Sequence, residues 1–539
     1  MRLALLLSTP LLLASGAMAA VPPADPDRIA THVAFLADDL LEGREAGTRG
    51  YDLAALYVSS QFAQAGLVPA GDKGGWLQAV PLLRGQREQE GSKFVIERPS
   101  GNVELRFEHD YLPGINFDSP QWDVSAPLVF VGHGVVAPEY QHDDFAGVDV
   151  RGKIAVVVRG APARFEKDAR AFYSSQLQKG KTLSERGAVG VIDFNDPELA
   201  KKLPPDAWAK NAANWRRASM RLRDAQGAPV DTFPQLRGSV SLSIEAARKL
   251  FEGAPQSADE VFRQLKAGKA RAFDLPGQAR MSGRSTVTKL ASSNVVGVRP
   301  GSDPVLAREF VVYTAHLDGL GVGAEIEGDG IYNGALDNAL GTAVMLETAR
   351  LTAQLPPTAR SQVFVAVTAE EKGLLGSEHF ARNPSVAGRL VANLNIDMPV
   401  ILSAQRDAIA LGIEHSSLKA DVEAAAAELG VDLSPDPNPE EVYFVRSDQF
   451  SFIRRGVPAV VVNGGMNSTT PGVDAGKQIE TFRRLHYHQP GDEIGLGIHY
   501  PTAARLAALN LIMGQRIGNA AVAPSWNEGN FFGERFAKP

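Results

Sequence analysis

The chain has no cysteine in its 539 residues. This excludes disulfides, thiolate nucleophiles, cysteine-ligated metals and a lipid-bearing cysteine. It also lacks a long basic run, and 55 Lys plus Arg against 62 Asp plus Glu leave a formal charge of −7. That balance argues against nucleic acid as a partner. Beyond the first twenty residues no apolar run reaches the roughly 20 residues that cross a bilayer, so no membrane span is expected. There is no Gly-x-Ser-x-Gly elbow and no His-Glu-x-x-His helix, so two common hydrolytic devices are missing. No internal repeat or low-complexity tract occurs. What remains is ordinary globular composition, 44% hydrophobic and 22% charged, in a chain long enough for two or more units.

The opening MRLALLLSTPLLLASGAMAA has one Arg, an apolar stretch, then Ala17-Met18-Ala19. This is the pattern of a cleavable secretory leader over residues 1–19, and it implies export to the periplasm or beyond. From Asp27 to Leu67, apolar residues recur at helical spacing around a Gly-rich turn. Between about 126 and 194 the short runs LVFVGHGVV, KIAVVVRG and AVGVIDF read as strands, with a helix over SSQLQKGKTLSERG. Residues 195–235, with Trp208 and Trp215, read as a helical excursion or long loop. From Asn294 strands and helices alternate, which predicts an α/β layer fold with a largely parallel sheet.

Ligands of such sheets sit beyond the carboxyl ends of the strands. Here VVYTA runs into His316-Leu317-Asp318, VFVAVTA into Glu370-Glu371, and VANLNI into Asp397. Asp337 is expected at the cap of the helix that begins DNALG, and LHYHQPGDE supplies His488. Taken singly, each has a plain explanation: Asp337 as an N-cap, Asp397 as a strand end, His316 as a core histidine. Together they are an array of carboxylates that would repel one another unless divalent cations joined them.

The stretches HLDGLG, GALDNALGTAVMLE, TAEEKGLLGS, NLNIDM, RSDQFSF and YHQPGDE resemble the motif series of metallopeptidase family 28, di-zinc enzymes of clan MH. The block APLVFVGHGVVAPEYQHDDFAGVDVRGKIAVVVRG resembles a protease-associated domain. The resemblance implies a three-layer zinc-exopeptidase fold with a largely parallel central sheet and a β-rich protease-associated insert. It divides the chain into a leader (1–19), an N-terminal part of the peptidase domain (20–122), the insert (123–275), the catalytic core (276–516) and a tail (517–539).

The same resemblance implies two zinc ions per chain. Asp337 would bridge them, His316 and Asp397 would complete one site, and Glu371 and His488 the other. Asp318 would orient the ligand region, Tyr487 would help stabilise the oxyanion, and Arg446 would lie near the substrate. Neighbouring side chains at a strand end point in different directions, so Glu370 is left to act as the general base on a water between the metals. Leu340 and Gln449 depart from the family pattern, at positions where a small residue and a His are usual. His133, His142 and His415 fall outside the motif set.

The expected activity is removal of N-terminal residues from peptides. A carboxypeptidase or glutaminyl cyclase on the same fold, or a non-catalytic peptide-binding relative, are the alternatives. The last would be expected to have lost ligands, and all five ligand positions and the base are present.

Overall fold

A computed structural model describes residues 22–201, 204–439 and 442–537. The leader expected over residues 1–19 lies outside them. Among the described residues, no helix is long and apolar enough to cross a membrane.

Among the described residues, one 16-stranded sheet runs from end to end. Its catalytic half is parallel where it matters. Glu309–His316 lies between Ser361–Val367 and Arg389–Asn395, all parallel, and Ala459–Gly464 continues parallel beyond Arg389–Asn395. These strands are almost uninterrupted runs of apolar residues because both faces are covered. Side chains alternate between two cores. Val311, Tyr313 and Ala315 join the larger core, with helices Pro26–Leu36, Arg49–Gln64, Leu340–Gln354 and Tyr500–Asn519. Phe310 and Val312 face the smaller core on the other side, with Phe380 and Phe452. The result is helix, sheet, helix, as the sequence predicts. Helix Tyr500–Asn519 packs so closely that a Cβ at Gly514 would lie 1.5 Å from the Tyr313 hydroxyl, so only glycine fits there.

The second half of the sheet has its own parallel set. Gln121–Phe130, Ile154–Val158, Gly190–Phe194 and Gly238–Leu242 lie side by side in that order. Its core gathers residues from Phe94 to Met281, so the boundary expected at residue 123 falls inside it. The reason is two long strands, Leu77–Glu97 and Phe273–Arg299, which pair with each other along most of their length and pass through both halves. Local sequence cannot reveal where a continuous ribbon changes partners. The expected boundary at 516 likewise falls inside helix Tyr500–Asn519. The stretch 195–235 resolves into two short helices, Pro197–Ala200 and Ala207–Ala213, and a strand, Ser219–Leu222.

The tail returns to the body. Helix Phe531–Phe536 sets Arg535 over Phe172 at 4.3 Å and 2.9 Å from Glu139, so it straps the second half to the first.

Candidate metal centre

Three parallel neighbours end on the same edge of the sheet. His316 closes the first strand, Glu370 and Glu371 follow the second, and Asp397 follows the third. Asp337 comes from the loop before helix Leu340–Gln354. It is not that helix's cap, as its place in DNALG suggests: it lies three residues before the first helical residue, in non-helical backbone. His488 comes from the loop after helix Ala475–Leu485.

The side chains form two groups that share one carboxylate. His316 Nε2 lies 3.1 Å from Asp337 Oδ1 and 3.1 Å from Asp397 Oδ1. His488 Nε2 lies 3.3 Å from Asp337 Oδ2 and 3.2 Å from Glu371 Oε2. In each group the potential ligand atoms lie within 4.8 Å of one another. Imidazole nitrogens with carboxylate oxygens suit a divalent ion such as zinc. The His316 tautomer fits too: Nδ1 lies 3.0 Å from the Asp318 carbonyl oxygen, so an Nδ1–H can donate there and leave Nε2 free to ligate.

A scaffold of buried groups fixes these positions. The Asp318 carboxylate accepts hydrogen bonds from the backbone N–H of Glu370 at 3.0 Å and of Glu371 at 3.3 Å, so it sets the loop that carries both glutamates. Asn338 donates to the Ile396 carbonyl and accepts from the N–H of Gly341 and Met398. A Cβ at Gly341 would sit 2.0 Å from Asn338 Oδ1, so this bond requires glycine. Backbone strain gathers here as well. Ala369, Met398 and His488 all have left-handed φ, next to Glu370, next to Asp397 and at a ligand position respectively.

Two supports were not singled out from the sequence. Asp492 accepts from the N–H of Leu336 at 2.8 Å and of Asp337 at 3.0 Å. Arg44, wholly buried, donates to the carbonyls of Leu36, Leu317, Asn333 and Gly334. Their hydrogen-bond partners are backbone groups, which leave no side-chain pattern to read. Asp492→Ala should weaken metal binding by about 10–100-fold, the scale for an outer partner. Competition against a chelator measures this, and unchanged affinity would remove the positioning role.

Burial and like charge dominate the electrostatics. Burial pushes Asp318 up to about 6, and Asp448 and Asp492 up to about 7. It also lifts Glu370 well above the carboxylate range, with Asp397 and Asp448 adding repulsion. Burial works to raise Asp337, but hydrogen bonds from His316 and His488 outweigh it and hold it low. Burial works to lower His488, but Glu371 and Asp337 carry it up to about 10. So much buried negative charge is the environment a cation relieves.

The centre opens into a cavity of about 320 Å³. Glu370, Glu371, Asp397, Tyr487 and Arg446 line it on the polar side, and Val400, Ile409, Leu411, Val461 and Ile479 on the apolar side. The Tyr487 ring stacks on His488 with centroids 3.8 Å apart. His133 and His142 lie in the second half, where His142 pairs with Asp144 at 2.9 Å. His415 packs against Phe444 and Phe532.

The sequence model of peptidase family M28 matches residues 294–512, and that of the PA domain matches residues 124–220. Aminopeptidase YwaD of Bacillus subtilis strain 168 is 27% identical over 358 residues, 66% of this chain and 58% of that protein. A Caenorhabditis elegans glutamate carboxypeptidase 2 homolog is 24% identical over 502 residues, 82% of this chain and 60% of that protein. The chain thus spans about three fifths of the length of these curated relatives. Among solved structures, an aminopeptidase from Aneurinibacillus sp. strain AM-1 shares the fold. Its TM-score is 0.54 at 21% identity, over 94% of this chain and 95% of that one. Residues 294–512, which carry all five candidate ligands, thus match peptidase family M28, and residues 124–220 match a PA domain.

Proposed function

We propose that the chain is an exported di-zinc aminopeptidase that removes N-terminal residues from peptides. The observation that carries this reading is the sharing of Asp337 by two ligand groups at the mouth of a half-apolar cavity. His316 and Asp397 would hold one ion with Asp337, and Glu371 and His488 the other. Bound zinc supplies Lewis acidity that polarises the scissile carbonyl and lowers the pKa of water.

The protein's own groups do the rest. Glu370 lines the cavity, and burial raises its proton affinity, which suits a carboxylate that takes a proton from water and passes it to the leaving amine. Burial, with Asp337 and Glu371, pushes the Tyr487 phenol well above its ordinary value, so it stays protonated and can donate to a developing oxyanion. The apolar wall from Val400 to Ile479 fits an apolar N-terminal side chain. The anionic rim attracts an α-ammonium, and acetylation removes that charge.

The zinc-loaded protein should therefore cleave peptides with a free α-amine and spare their N-acetylated forms by about 10-fold or more, the scale of one charge-assisted contact. The match to a relative named for carboxypeptidase activity favours a second reading, removal of C-terminal residues. Equal turnover of both forms, with release of the C-terminal residue, would replace the first reading with the second.

A further inference from the structure

A second, larger cavity of about 840 Å³ adjoins the first. The two share Gly373, Leu374 and Arg446 in their walls, so they lie side by side. The far side of the second cavity comes from the PA half, through Arg159 and Arg170, and from strand Ser219–Leu222, through Arg221. The near side comes from the catalytic half, through Arg446 and Arg454.

Positive charge exceeds negative charge there. The cavity's carboxylates are Asp196, Asp231 and Glu378. Glu378 is engaged by Arg382, Arg454 and Arg455, and Asp231 by Arg382. Arg159 is held by Asp193 and by the Ser241 hydroxyl, each at 2.7 Å. Arg221 makes no ion pair within 4.0 Å among the described residues, and Asp231 and Asp118 attract it from further off. It stands on strand Ser219–Leu222, its nearest aromatic contact is Phe117 at 5.9 Å, and its buried Nε has no hydrogen-bond partner among the described residues. The buried Nε of Arg454 is also without one. These Nε atoms are closed off from the cavity, so a carboxylate entering it would meet the outer guanidinium nitrogens, which can donate in pairs.

We propose that this second cavity binds the part of the peptide downstream of the scissile bond and recognises a carboxylate on it through Arg221, with Arg170 and Arg454. The proposal rests on the aminopeptidase reading of the metal centre. With its N-terminus at the metals, a short peptide would reach the second cavity by passing Arg446. A cavity of this size suits a ligand of a few residues. The enzyme is then selective for short peptides with an anionic end, and the PA half supplies part of that selectivity.

The test uses the full zinc-loaded chain. Matched tetrapeptides with a free α-amine end in a free acid or an amide, and an aminoacyl anilide carries no downstream residue. The wild type should prefer the acid over the amide by about 10-fold or more in kcat/KM, mainly through KM. Arg221→Gln should bring that ratio close to unity, and the more accessible Arg170→Ala should lower it. The ratio is internal to each preparation, so a partly unfolded variant cannot imitate the effect. Amidated peptides with Asp in place of Asn downstream separate the two sources of carboxylate. A preference appearing only there assigns the group to a side chain, and the cavity keeps its role. Cleavage of the anilide without any carboxylate preference would overturn the proposal and leave the aminopeptidase reading standing. Cleavage of N-acetylated peptides with no action on the anilide would overturn both.

Discussion

Asp337→Ala should strip the centre of both metals and of activity. Its two oxygens face different histidines, Oδ1 toward His316 at 3.1 Å and Oδ2 toward His488 at 3.3 Å, so one deletion disturbs both ligand groups. The carboxylate is almost wholly buried, and its own N–H is anchored by Asp492. The loss in affinity should exceed the roughly 10–100-fold that disturbing an outer partner costs. Metal content per chain after dialysis, read beside a melting curve, measures this. Two ions retained in a folded variant would remove Asp337 from the bridge.

The second large effect separates two adjacent residues. Glu370→Gln keeps shape and hydrogen bonding but removes the proton acceptor, so kcat should fall by about 10²-fold or more with metal content unchanged. Glu371→Gln weakens a ligand that faces His488 at 3.2 Å, so it should lose metal first, and activity should partly return with excess zinc. Titrating zinc into both variants while following cleavage distinguishes a metal-replete, inactive protein from a metal-poor, rescuable one. Rescue of Glu370→Gln instead would exchange the two roles.

Much of this centre is legible in the sequence because a parallel sheet exposes its chemistry at strand ends. An apolar run that stops at His316, at Glu370-Glu371 or just before Asp397 marks the edge where a ligand lies. Asp337 and His488 come from loops. Nothing in periodicity aims them at the edge, and their roles came from motif resemblance. Arg44 and Asp492 were invisible for a different reason. Each is bound to backbone groups far away in sequence, such as Asn333 from Arg44 and Leu336 from Asp492. The division into units was the least legible feature, because Leu77–Glu97 and Phe273–Arg299 each stay one strand while their two ends serve different cores.

That shared ribbon constrains how the protein can be shortened. Cutting out residues 124–272 would take Gln121–Phe130 and its neighbours from the flank of Phe273–Arg299, which pairs with them from Phe273 to Arg284. Phe94, Ile96, Ala279 and Met281, all buried against that half, would face water beside a row of unpaired N–H and C=O groups. Open edges of this kind invite pairing with other chains. A trimmed catalytic half would therefore be an aggregating protein, and its lost activity would say nothing about what the PA half contributes to catalysis.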